Sequence, residues 1–131
     1  MARQRRDPTA LETAIQQARD GVMSEDILML ILAGSTVIVP SGREPLNSVT
    51  EVRPVLIPNP TGLRLAVFTH ADFVGGIPRS SRYQVDMEVS VLLQLIPADT
   101  GITVNPRSMT TSLDMAPGAV QALRELFAGA S

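Results

Sequence analysis

The most apolar stretch of the chain is residues 27–40, ILMLILAGSTVIVP, and it carries its own break. Residues 27–33 have the composition of a buried helix. Gly34 and Ser35 stop that helix, Val37, Ile38 and Val39 are β-branched and suit a central strand, and Pro40 ends the strand. A helix feeding directly into a buried strand is a nucleus on which the other segments must pack. Upstream, Leu11, Ala14, Ile15, Ala18 and Val22 recur at helical spacing, with Gln16, Gln17 and Arg19 on the opposite face. Two starts fit this first helix: a capping box, Thr9-x-x-Glu12, or Asp7 with Pro8 at the first helical position. Gly21 is its natural stop. Ser24 caps the second helix, and Glu25 and Asp26 fall in its first turn, where the helix dipole favours negative charge.

Further along, residues 52–57 read as a strand, and Pro54, lacking a donor, places it at a sheet edge. Residues 58–62, PNPTG, are dense turn chemistry, and residues 63–68 complete an antiparallel hairpin. Leu63, Leu65 and Val67 share one face of that strand; Arg64, Ala66 and Phe68 share the other. Thr69 and Asp72 start a short helix that runs to about Val74 and is ended by Gly75, Gly76 and Pro78. Over residues 83–96 two periods overlap. Tyr83, Val85, Met87, Val89 and Val91 alternate as in a strand, whereas Val85, Val89, Leu92, Leu93 and Ile96 have helical spacing. The low β-branching of LLQL favours a strand to about Met87 followed by a helix from Glu88 to Ile96. Residues 97–101 are a turn, 102–104 a strand ending at Asn105-Pro106, and 112–115 a last short strand. Pro117 opens a C-terminal helix with Val120, Leu123, Leu126 and Phe127 on its inner face and Gly129 as its stop.

These elements predict an α+β fold: a small mixed sheet of about four or five strands with helices packed on it. Residues 8–131 form one domain behind a disordered basic arm at 1–7, and a chain of 131 residues suits a single core. There is no cysteine, which excludes disulfides, thiol catalysis and thiolate metal sites. The formal charge of −2 supplies no field for nucleic acid or an anionic membrane. All the basic residues are Arg. With one Tyr, three Phe and no Trp, the chain has no stacking platform for bases or sugars. The basic start is not followed by an apolar run, and the run from Ile27 is too short to span a bilayer. The expectation is a cytoplasmic protein with neither membrane nor nucleic-acid partners.

TVIVP, RLAVFTH, SVLLQLI and GITVNPRS, in this order and closed by an amphipathic helix, are carried by Val37–Pro40, Val67–Thr69, Leu92-Leu93 and Gly101–Pro106. This arrangement resembles the N-terminal domain of the SseB family, the bacterial enhanced-serine-sensitivity proteins, over about residues 24–128. The resemblance implies no catalytic residues, because the family is named from a growth phenotype on serine. The same name is carried by a translocator of a type III secretion apparatus, but this chain lacks that protein's long membrane-active helix.

Chemistry is sparse. His70, the only histidine, stands near Asp72 and could serve as a general base for Ser80, Ser81 or Ser108. The simpler reading is that residues 69–72 begin a helix after a strand. Arg79, Ser80, Ser81 and Arg82 place two guanidinium groups around two hydroxyls and are candidate anion ligands. Gly75-Gly76 is not followed by the Lys-Ser/Thr of a phosphate loop. Asp86 and Glu88 lack the spacing of a calcium loop. Asn105 and Arg107 form the most distinctive polar stretch and are the second candidate ligand site, although Asn before Pro is by default a turn. The expectation is no catalytic residue, no metal and no cofactor. The favoured function is a non-enzymatic protein-interaction or regulatory module with an unidentified protein partner, and the Pro54-marked edge leaves room for a homo-oligomer. The alternatives are a small-molecule or anion-binding, amino-acid-sensing domain and a secretion-associated protein.

Overall fold

In the computed structural model, the described residues are 8–42, 54–74 and 83–130. The first helix, α1, spans Ala10–Arg19. Of its two possible starts the capping box is realised: Thr9 Oγ1 accepts the Glu12 amide at 3.1 Å, and Glu12 Oε2 accepts the Thr9 amide at 2.8 Å. The helix ends in a Schellman turn. Gly21, at φ 77°, donates to Ala18, and Val22 donates to Gln17. That left-handed turn carries Val22 away from the helix face, so Val22 is 74% exposed instead of continuing the apolar stripe.

Helix α2 spans Glu25–Ala33 behind its Ser24 cap. It was expected to be buried, and only one side of it is. Leu28, Leu32 and Ala33 enter the core, while Ile27 is 50% and Leu30 58% exposed. The helix is apolar all round, but the rest of the fold supplies a packing surface along a single face.

Strand β1, Thr36–Ser41, pairs antiparallel with β4, Tyr83–Glu88. Pro40 does not end β1. Backbone groups alternate sides along a strand, and the Ile38 amide and carbonyl bond Phe68, at 2.7 and 2.9 Å. Two residues on, Pro40 therefore owes no donor to β4. The other sheet has the order β2–β3–β5–β6, from Leu56–Ile57, Leu63–Val67, Thr100–Val104 and Leu113–Met115. β2 and β3 are the expected antiparallel hairpin with β2 at the edge, whereas β3 and β5 run parallel. The observed strands thus form a pair and a four-stranded mixed sheet, joined where Ile38 meets Phe68 and where Ser41 meets Pro54, so Pro54 itself is bridged to β1.

Helix α3, Val89–Leu95, follows β4 directly, so the overlapping periods resolve into strand and helix close to the expected junction. Helix α4 spans Pro117–Ala130 and runs through Gly129. Its Val120 and Leu123 are buried, but Leu126 is partly exposed, which narrows the expected inner face. The Phe127 side chain lies outside the described residues.

Helices α1 to α4 all contribute to one core face, against Val37, Val39, Leu65, Val67, Met87, Ile102, Val104 and Met115. The opposite face carries a smaller cluster of Ala66, Phe68 and Val74, with Ile38, Val55, Ile57 and Phe73 packed on it. The two faces expected for β3 separate into these two clusters.

Arg64 is the exception on the second face. It is buried, and its guanidinium crosses β5 to reach Asp114 of β6, Nε to Oδ1 at 2.9 Å. It also donates to the Gly62 carbonyl and the Thr61 hydroxyl. Gly101 makes the crossing possible. A Cβ there would meet the Met115 carbonyl oxygen at 2.1 Å and Arg64 Cδ at 2.9 Å, so any side chain would push apart β5, β6 and the arginine.

Candidate functional site

The polar groups of this molecule gather where the parallel strands β3 and β5 finish, the position at which open α/β sheets present their ligand crevices. The Asn105 amide bonds the Val67 carbonyl at 2.9 Å, extending the β3–β5 ladder by one step. Asn105 then turns the chain at φ 46°, a left-handed conformation that Asn tolerates better than most residues. Its side chain faces inward and is fully buried. Oδ1 accepts the Thr69 amide at 3.0 Å. Nδ2 donates to Thr69 Oγ1 at 2.9 Å and, less closely, to Thr111 O and Oγ1 at 3.2 and 3.3 Å.

The network extends in both directions. Thr69 Oγ1 donates to Glu12 Oε1 at 2.7 Å, so the capping-box carboxylate of α1 also holds the end of β3. Ser108 Oγ accepts the Thr111 amide at 3.0 Å and shares a hydrogen bond with Thr111 Oγ1 at 2.6 Å. Glu12, Asn105 and Thr111 are buried, and among the described residues no buried side-chain nitrogen or oxygen is left without a partner. Charge-assisted bonds to a carboxylate are among the stronger hydrogen bonds, and a saturated buried network rigidifies its surroundings. This cluster is a clamp tying α1, β3 and the β5–β6 connection together. It fills the crevice position with its own side chains and has no free group aimed at a reactant.

The predicted site residues separate. Asn105 lies inside the clamp, whereas Arg107, two residues later, is exposed on the turn. The two therefore do not converge on one ligand position. Arg79, Ser80, Ser81 and Arg82 lie outside the described residues, as do Gly75 and Gly76. His70 proves to be a cap: its Nδ1 accepts the Asp72 amide at 3.0 Å and begins the short 3-10 turn Ala71–Phe73, a role the sequence had suggested for Thr69. Asp72 Oδ2 lies 3.3 Å from the same nitrogen. Ser108, the one described serine among its suggested nucleophiles, is engaged with Thr111. Among the described residues no three His, Asp or Glu side chains converge as a metal site.

One groove opens at the C-terminal end of α1, lined by Gln16, Arg19, Asp20, Met109 and Thr110, with a volume of about 250 Å³. Arg19 Nη1 is anchored there by the Ser112 carbonyl and hydroxyl, both at 3.0 Å.

The sequence reading missed Glu12 as a buried link, because a capping box is usually a surface device. It also missed Thr69 and Thr111 as the partners that commit Asn105. The outward side chains of α2 had a signal: an apolar helix without a polar face cannot be covered by a thin domain on every side. Comparison of the chain with family models, with curated proteins and with solved structures finds no match.

Proposed function

We propose that this chain is a non-enzymatic protein-interaction or regulatory module, of the kind its SseB resemblance implies. The observation that carries the reading is the outer face of α2, where Ile27 and Leu30 stand one helical turn apart in solvent. Ile31, half-buried, follows Ile27 by one turn on the same helix. Full burial of one such side chain contributes about 1.5–3 kcal/mol, so covering the exposed halves of two would contribute roughly 2 kcal/mol to association. Among the described residues the polar network around Asn105 is internally saturated and His70 caps a turn, which favours this reading over polar ligand chemistry there. No helix among the described residues is long and apolar enough to cross a membrane.

The test compares wild-type protein with an Ile27→Glu, Leu30→Glu double variant, both verified by circular dichroism, in cross-linking from native cells. A partner joined to the wild type and lost in the variant supports the reading. The same partners with both proteins, or none with either, removes it.

A further inference from the structure

A second surface is defined by backbone geometry. Among the described residues β4 pairs with β1 alone, and no described strand covers its other edge. The register fixes which groups that edge presents. Ile38 uses its amide and carbonyl on Phe68, so its partner Asp86 is a non-hydrogen-bonded pair within the β1–β4 ladder. By the same alternation, Gln84 opposite Pro40 directs its amide and carbonyl away from β1, as Glu88 opposite Thr36 does its amide, while the Glu88 carbonyl, at the N-cap of α3, opens the hydrogen bonding of that helix. Proline at position 40 is compatible only with this phase.

The side chains of these residues add a second constraint. Gln84, Asp86 and Glu88 are all exposed and share one face of β4. On the other face Tyr83 and Val85 are half-buried and Met87 is buried. The open edge therefore offers an acidic row on one side and a partly exposed apolar row on the other. A second copy is the poorer occupant, because antiparallel pairing of two β4 edges in the registers centred on Asp86 or Met87 sets carboxylate against carboxylate, a guard against edge-to-edge association. An incoming strand with the complementary pattern meets opposite charge on the acidic row and apolar surface on the other.

We propose that the open edge of β4 docks an extended segment of a partner protein in which basic and apolar residues alternate. Recognition is by strand addition: main-chain bonds to Gln84, Asp86 and the Glu88 amide supply the affinity, and the Asp86 and Glu88 side chains select the charge. This surface is distinct from the outer face of α2.

The experiment uses the full chain and a short fluorescent peptide of alternating arginine and valine, read by anisotropy at low salt. The expected result is saturable binding. Methylating the peptide amides that face β4 abolishes it, whereas methylating the alternate amides leaves it intact. The Asp86→Arg, Glu88→Arg variant binds this peptide at least about tenfold more weakly and gains affinity for an alternating glutamate and valine peptide. Equal loss from both methylation patterns would reveal a charge effect without strand pairing and overturn the proposal, as would no binding by the wild type. Unchanged binding by Leu30→Glu protein keeps the site on β4, and loss there assigns the peptide to α2 and overturns it. Binding that appears only after Arg3, Arg5 and Arg6 are replaced by Ser would make the chain's own basic segment the occupant and overturn the partner reading.

Discussion

The clamp at the ends of β3 and β5 and the outer face of α2 reverse the usual placement of residue types. In the clamp, Glu12, Asn105 and Thr111 are polar and buried. On α2, Ile27 and Leu30 are apolar and face solvent. The difference lies in what each group finds locally. Asn105 meets the Thr69 amide and the Thr69 and Thr111 oxygens within hydrogen-bonding distance, so its desolvation is offset inside the fold. Ile27 and Leu30 have nothing among the described residues to cover them fully. A buried polar group that is satisfied belongs to stability, and the exposed apolar pair is the surface on which the proposed association rests.

Asn105→Ala breaks the comparison most severely. It strands the Thr69 amide and loosens Thr111, and it places a residue less tolerant of φ 46° at the turn. The expected loss is about 3 kcal/mol, seen as a fall of roughly 10 °C in the thermal midpoint. A change below about 2 °C would show that the clamp is not a stability element. Next comes Glu12→Gln, which keeps the shape and one carbonyl acceptor but turns an amide NH₂ toward either Thr9 N or the Thr69 hydroxyl. A loss of about 1–2 kcal/mol is expected by chemical denaturation. A neutral result would mean that the carboxylate is dispensable to the clamp.

Ser108→Ala removes the acceptor for the Thr111 amide at the outer end of the network, and a loss of about 1 kcal/mol should follow. The smallest stability effect belongs to Leu30→Ser on the other side of the comparison. Its midpoint should stay within about 0.5 kcal/mol of wild type, while partner capture falls. A destabilisation as large as that of Asn105→Ala would place Leu30 in the core and dissolve the contrast between the two regions.

Much of the fold was legible in the chain. The Thr9–Glu12 box, the Ser24 cap, Gly21, Pro117 and the hairpin turn at residues 58–62 act through local backbone chemistry, and they place elements close to where they are observed. The switch from β4 to α3 was legible because side-chain branching changes within a few residues. Pro40 misled because a strand tolerates proline wherever its nitrogen faces away from the neighbouring ladder, and only the pairing phase decides that. The polar candidates were the least legible. Asn105 and Arg107 are neighbours in sequence, but a left-handed turn sends one inward and the other out.

The sequence by itself determined the α+β class, the caps and turns, the two faces of β3 and the absence of thiol chemistry, because these depend on residue type and short-range spacing. Tertiary structure decided the parallel pairing of β3 with β5, the burial of Arg64 over Gly101 and the joining of Glu12 to Thr69 and Asn105. It also decided which side of α2 remained in solvent and which edge of β4 no described strand covers. Each of these depends on which distant segments become neighbours, and local propensity carries no record of that.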